Sequence, residues 1–550
     1  MRKTVLIFLL FQGIYALAQE SWTEGMLMLS GASSVEELDQ DTVDSYEFFF
    51  HHPIRLNQDS PRRLSRLLSA YQIASLIDYR KRYGDILSLR ELALVDGFGE
   101  ARARALAHFV SFDSSRRPGE PVSDTLRLRA TVQTRGDFKG LGGKARISGG
   151  DLLDAGAAYR RYWEGSSSGT FYASVSLRKA TMIAGDFNLR YGEGLVFWSG
   201  MQINSFSTID TYSRRGGGLS PSWSYTGSGT YRGFAGEYGM GLFGAMAFIS
   251  ADAAGGRLQA IGRKGTYGLN LRAAKESLRI SADVRRNILG ADVFGEAAFD
   301  PLGKSWAAAG GARMALSDAL EAGLRLGAIP SAWSGKSGGE YSLDLGIRHL
   351  GGTYCAIAGK SGFGSSERRS SLDVTARLRL LPIPVKAPRR REAKLQASWA
   401  FRVDSLLKLE NRAMVRFRNY EPFRGEIRSD VILSNGLVNL HTRLHGCWCD
   451  GPGALAYTEL GYTPGNWQIW LRGTLYATSG WASRIYVYER DVSGSFSVPA
   501  CHGIGNSLSL YGAWSGKFSH FKLKAALRAY IGMKKPDTSA GLRFFLEADF

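Results

Sequence analysis

Beyond residue 123 apolar and polar positions alternate. From Leu126 to Gln133, Leu126, Leu128, Ala130 and Val132 share one face, and Arg127, Arg129, Thr131 and Gln133 share the other. Leu372 to Leu380 sets Asp373, Thr375, Arg377 and Arg379 opposite its apolar row. Phe521 to Tyr530 sets Lys522, Lys524 and Arg528 against Phe521, Leu523, Ala525 and Leu527, and Trp467 to Tyr476 repeats the theme. A period of two marks strands with one apolar face. The segments are about 9–11 residues long, the length of a tilted membrane strand, and Gly- and Ser-rich turns separate them. A lipid-facing apolar row and a lumen-facing polar row predict a transmembrane barrel of roughly 18–24 strands. Its sheet must close, because lipid cannot satisfy an open edge's N–H and C=O groups. A soluble sandwich or propeller would alternate too, but the chain shows no repeat period of core aromatics.

Before residue 114 the period is helical. Leu64, Leu67 and Leu68, then Ile73, Leu76 and Ile77, recur at helix spacing, with Ser60-Pro61 as a start signal and Gly84 as a stop. Ser88 and Glu91 form a capping box ahead of Leu92 and Val95. A last helix carries Leu106, Phe109 and Val110. The N-terminus has a charged start (Arg2, Lys3), a short apolar run from Val5 to Phe11 and Ala16-Leu17-Ala18. This is the pattern of a cleaved secretory signal, and the run is too short for a membrane span. The expected layout is a signal peptide at 1–18, an acidic lead-in at 19–52, a helical domain at 53–113, a linker at 114–123 and a barrel at 124–550.

Composition agrees with a large β structure: 67 Gly, 28 Phe, 24 Tyr and 12 Trp accompany only 15 Pro. The charge is divided unevenly. Residues 19–120 hold 12 basic and 16 acidic side chains, whereas residues 121–550 hold 55 and 34. A positive excess confined to the barrel invites anionic partners, including lipopolysaccharide phosphates, nucleic acid and acidic solutes.

Val95-Asp96-Gly97-Phe98-Gly99-Glu100-Ala101-Arg102-Ala103-Arg104-Ala105-Leu106 resembles a helix-hairpin-helix motif. In that family glycines make the tight turn and the following helix N-terminus receives a DNA phosphate. The resemblance implies that Gly97, Phe98 and Gly99 form the hairpin and that Arg102 and Arg104 flank the phosphate. Residues 53–112 as a whole resemble the paired-hairpin domain of bacterial competence DNA-receptor proteins. In place of the first hairpin's glycines stands Leu68-Ser69-Ala70-Tyr71-Gln72, so DNA contact and docking of a periplasmic protein both stay open.

The stretch Gly185-Asp186-Phe187-Asn188-Leu189-Arg190-Tyr191-Gly192-Glu193-Gly194-Leu195-Val196-Phe197-Trp198-Ser199-Gly200, with Tyr231-Arg232-Gly233-Phe234-Ala235, resembles outer-membrane proteins that join a periplasmic helix-hairpin-helix head to a large barrel. Here Asp186, Arg190 and Glu193 are either an inward polar cluster or residues that shape a strand pair. The terminal strand Gly541 to Phe550 resembles the signal read by the barrel-assembly machinery, with Phe550 on its apolar face.

The fold class expected is therefore mainly β: a large antiparallel transmembrane β-barrel preceded by a small all-α helix-hairpin-helix domain. His445, Cys447 and Cys449 share a strand face, but their spacing matches no zinc pattern. No nucleophile elbow is present, and the head is too small for a transporter plug of the usual kind. A non-enzymatic outer-membrane protein without cofactor is expected. Its head, in the periplasm, would dock a partner or DNA. A DNA-uptake component and a porin-like channel with the head as a plug are the alternatives.

Overall fold

A computed structural model describes residues 22–113 and 128–550. Left out are segments at 31–34, 39–42, 58–63, 200–208, 334–339, 350–369 and 382–389, and scattered shorter stretches. The Ser60-Pro61 helix start, the linker and the signal segment lie outside the described residues.

Residues 128–550 form one closed antiparallel barrel of 24 strands. The strands are 8 to 14 residues long, from Phe243–Ser250 to Glu421–Ser434. Closure joins the chain's ends. Asp549 stands opposite Thr131 in the last-to-first ladder, and Phe550 N–H donates to the Ala130 carbonyl at 2.8 Å. In the final strand Leu542, Phe544, Leu546 and Phe550 are exposed, which puts the terminal Phe on the apolar outer row as its position predicts.

The strands are apolar outside and polar inside. In Pro452–Tyr462, Leu460 and Tyr462 face out, whereas Glu459 is buried inside. In Lys522–Lys534, Leu527 and Ile531 face out and Arg528 is 1% exposed on the inner side. This inverts the arrangement of a soluble barrel and is what a lipid surround requires, every ladder being satisfied within the closed sheet.

The head, residues 22–113, is mostly helical. Helix α1 is Trp22–Ser30, α2 Ala70–Tyr83, α3 Leu89–Leu94 and α4 Gly99–Leu106. The acidic lead-in belongs to this unit, since Met26, Leu29, Leu38 and Phe49 share a core with Leu64, Leu76, Leu92 and Phe109. Gly84 takes φ +92 directly after α2, as its stop signal requires. Ser88 Oγ caps α3 through Glu91 N–H at 3.2 Å, and the Glu91 carboxylate reaches back to Leu87 N–H at 2.8 Å. The head is not purely helical: Ile54–Arg55 pairs in parallel with Val110–Ser111 and ties the middle of the head segment to its C-terminal end. Asn57 fastens that junction, exchanging hydrogen bonds with Ile86 N–H (2.9 Å) and the Ile86 carbonyl (2.7 Å).

Candidate functional site: the occupied lumen

Strand parity fixes the two mouths of the barrel. The first strand, Leu128–Asp137, begins at the mouth where the chain arrives from the head. Ala180–Arg190 and Trp467–Thr478 are the fifth and twenty-first strands around the wall and run in the same direction. The long connections that follow them, 191–230 and 479–503, therefore leave at the opposite mouth. Both fold back into the lumen.

The first connection starts where Ala180–Arg190 changes partner. Up to Phe187 it pairs with Tyr231–Met240, and from Phe187 onward with the short return strand Gly218–Pro221. Asp186 braces the change, accepting from Arg232 Nε (2.9 Å), Arg232 Nη2 (3.0 Å) and Phe171 N–H (2.8 Å). Arg190 donates instead to the Ser199 carbonyl at 3.1 Å. Glu193 crosses the lumen to Arg325 at 3.0 Å and accepts from Ser213 Oγ and Arg214 N–H. The three residues share one segment but not one cluster; each fastens a different part of the inward fold. Glu296, on the facing wall, accepts the N–H groups of Glu193 (2.8 Å) and Leu195 (3.0 Å), and Trp333 Nε1 donates to the Leu195 carbonyl at 2.9 Å. Ile209 and Tyr212 lie against Phe294. Gly323 and Gly346 make room for them: a Cβ on Gly346 would stand 2.7 Å from both Ile209 Cγ1 and Tyr212 Oη.

The second connection is pinned by wall arginines. Arg424 donates to the Ala482 (2.9 Å) and Arg484 (2.8 Å) carbonyls, and Arg472 to the Tyr488 carbonyl. Arg490 pairs with Glu459 at 3.1 Å, and Arg528 and Arg543 close on Glu489 and Asp491. Ile485 and Val487 are fully buried against Leu455 and Tyr457 of the wall.

The head reaches into the same lumen. Glu36, in the short 3-10 turn Val35–Glu37, lies 2.7 Å from Arg443 and 3.8 Å from Arg428, both inward-facing wall residues. It also accepts Tyr488 N–H at 3.1 Å. Asp430 holds the two arginines from behind, at 2.6 Å from Arg443 and 2.8 Å from Arg428. One head carboxylate thus joins the wall to the second inward loop. Burial on its own would raise the Glu36 pKa; the Arg443 and Arg428 charges, with backbone N–H donors, outweigh it and hold the carboxyl well below its usual range.

In the head, Gly97 and Gly99 take φ +85 and +69, and Phe98 is buried in the head core. The Gly97 carbonyl, however, is occupied by Gln72 Nε2 (2.8 Å) and by Arg102 Nη1 (3.3 Å), so Arg102 turns back into the head. Arg104 pairs with Glu100 at 3.3 Å on the exposed face. Glu100 brings a negative charge to the first turn of α4, where a phosphate would bind. Of the other side chains singled out by spacing, Cys447 donates to the Ser483 carbonyl and His445 faces Glu426 at 3.6 Å.

Glu36 and the inward loops carry no sequence sign of their role. Glu36 sits among other acidic residues, and its partners lie about 400 positions away in the chain. The one local hint is the break in alternation after Thr478, where aromatic and arginine residues crowd together from Trp481 to Arg490.

No family model matches the sequence, and no curated protein does. Among solved structures the chain is similar to OprD of Pseudomonas aeruginosa, at 10% identity and TM-score 0.27 over 77% of this chain and 94% of that one. It is similar also to the translocation pore of the P pilus usher PapC, at 10% identity and TM-score 0.36 over 77% and 98%. A third is the siderophore receptor PirA from Pseudomonas aeruginosa, at 10% identity and TM-score 0.39 over 78% and 81%. These superpositions are loose, and the barrel assignment rests on the closed strand register itself.

Proposed function

We propose that the chain is a non-enzymatic outer-membrane channel held shut by its own parts, with the head entering from one mouth and the connections 191–230 and 479–503 from the other. The observation that carries this reading is the Glu36 bridge, in which one head carboxylate engages both the wall (Arg443) and the inward loop (Tyr488 N–H). The outer apolar rows favour lipid, and the positive excess of residues 121–550 suits lipopolysaccharide contact outside and anionic solutes inside. The terminal strand, ending in an outward Phe550, serves as the handle for the barrel-assembly machinery. On this reading the head's docking partner is the barrel itself, while exposed Tyr83, Leu87 and Leu94 leave a face for a periplasmic protein. The DNA-uptake reading draws no support from Arg102, which the Gly97 carbonyl occupies.

Planar-bilayer recording of the full chain tests the proposal. The wild type should be silent or show brief, small openings, and Glu36→Arg should open long, large conductances by placing a third cation against Arg443 and Arg428. A wild type that is already wide open, with Glu36→Arg indistinguishable from it, would overturn the plug.

A further inference from the structure

Four consecutive strands of the wall carry a polar strip on their outer side. They are Leu407–Arg418, Glu421–Ser434, Val438–Trp448 and Pro452–Tyr462. Asn411, Ser429, Thr442 and Thr458 share the outer row with the exposed Phe417, Ile427, Leu444 and Leu460, whereas Asp430, Arg443 and Glu459, one position on, are buried on the inner side. Each of the four polar residues lies at least four residues from either end of its strand, within the apolar belt and away from both mouths.

The register makes the strip continuous. Asn411 stands opposite Ser429 and Thr442 opposite Thr458, and Ser429 and Thr442 are diagonal neighbours between Leu444 and Val431. Ser429 Oγ donates to Asn411 Oδ1 at 2.8 Å, and the Thr442 and Thr458 hydroxyl oxygens lie 3.3 Å apart. These bonds use only part of what the groups offer. A side-chain amide has a donor end and an acceptor end, and whichever meets Ser429, the other has no partner among the described residues. In the threonine pair the hydroxyl that accepts keeps its own proton to donate elsewhere. Lipid tails supply neither donor nor acceptor, so each unmet group at this depth costs free energy that an apolar residue would not.

A facing surface that removes this cost must be uncharged and must both donate and accept. The strip itself answers that description, since amide and hydroxyl do both and no charge interrupts the row. Depth narrows the choice further. A second copy with the same orientation in the same membrane presents its strip at the same level, and a two-fold axis along the membrane normal sets strip against strip. The surrounding outer row allows close approach: Gly446 stands opposite Ala454, and Thr458 opposite Gly473. Small residues of this kind let membrane-embedded surfaces meet closely enough for polar side chains to bond across.

We propose that this strip is the contact through which two copies of the chain associate side by side in the membrane. The open end of the Asn411 amide and the hydroxyls of Thr442 and Thr458 bond across the two-fold axis. The contact lies outside the barrel, so it is read without reference to what fills the lumen and stands or falls apart from the channel reading.

The test is photo-crosslinking of the full chain in intact outer membranes. A benzophenone-bearing side chain in place of Ala456, beside the strip, should give an adduct of two chains. The same group in place of Ala247, on the outer row of Phe243–Ser250 across the barrel, should not. Adding Asn411→Leu/Ser429→Ala/Thr458→Val makes the strip apolar in a surround that suits apolar residues, and should lower the two-chain yield at least tenfold. The heat-dependent gel mobility of the triple variant should match the wild type and show that its barrel is folded. Absence of a two-chain adduct from position 456 overturns the proposal, as does equal yield with and without the triple substitution. An adduct from position 456 to a different protein overturns it too, because the strip would then face another membrane span.

Discussion

A carboxylate taken out of water stays ionised only where its new neighbours replace the lost solvation, and Glu36 meets that condition through Arg443, Arg428 and Tyr488 N–H. Its pKa in the folded protein lies below the ordinary 4.5. The bridge therefore contributes fully above that value and weakens as pH falls below it toward the folded-state pKa. Protection of residues 22–38 from hydrogen exchange should thus be constant from neutral pH down to about 5 and decline with further acidification. Glu36→Gln keeps the shape but leaves Arg443 and Arg428 with only the Asp430 carboxylate between them, and should lower the opening free energy of the head by about 3 kcal/mol at neutral pH. The same exchange experiment checks it, and an unchanged head would show the bridge to be energetically idle. Gly97 is a different kind of residue, fixed by its backbone at φ +85. Gly97→Ala should cost the head about 1–2 kcal/mol, read as loss of protection in α3 and α4.

At the scale of elements, the barrel strands were legible and the inward connections were not, and the reason is physical. A strand between lipid and lumen must alternate, so Leu527 beside Arg528, or Leu460 beside Glu459, announces its own orientation. Capping is equally local: Ser88 and Gly84 mark helix boundaries that the structure keeps. A segment folded into a polar lumen has no such constraint, because its partners are single charges on distant strands. Glu193 gives no sign of Arg325, 132 residues away. Gly323 and Gly346 look like any of the 67 glycines, yet they create the hollow that seats Ile209 and Tyr212. Gly346→Val keeps a good strand residue in the wall and fills that hollow. It should destabilise the docked connection by about 1–3 kcal/mol through overpacking while leaving the barrel closed. Limited proteolysis should then cut within residues 191–230 faster than in the wild type, with the remaining strands still resistant.

On the scale of the whole molecule, the head and the second inward connection come from opposite mouths and meet at one point. Glu36 accepts from Tyr488 N–H while Arg472 holds the Tyr488 carbonyl, so the same peptide segment is clamped by the head on one side and the wall on the other. Beyond it, Glu489 and Asp491 are fastened by Arg528 and Arg543. Loosening the head should therefore loosen the segment around Tyr488, although that segment enters from the far mouth. The two gates would open as a coupled pair, since a two-state element touched by both is the physical route for coupling. Hydrogen exchange on the full-length Glu36→Gln protein separates this from independent gating. Coupled gates predict that amides of residues 485–491 lose protection together with those of residues 22–38, while residues 191–199, held by Glu296 and Trp333, keep theirs. Loss confined to the head would mean that the wall arginines alone hold the loop and that Tyr488 N–H is a bystander. Loss spread across all three segments would mean that the lumen contents unfold as one body, with Glu36 as its keystone.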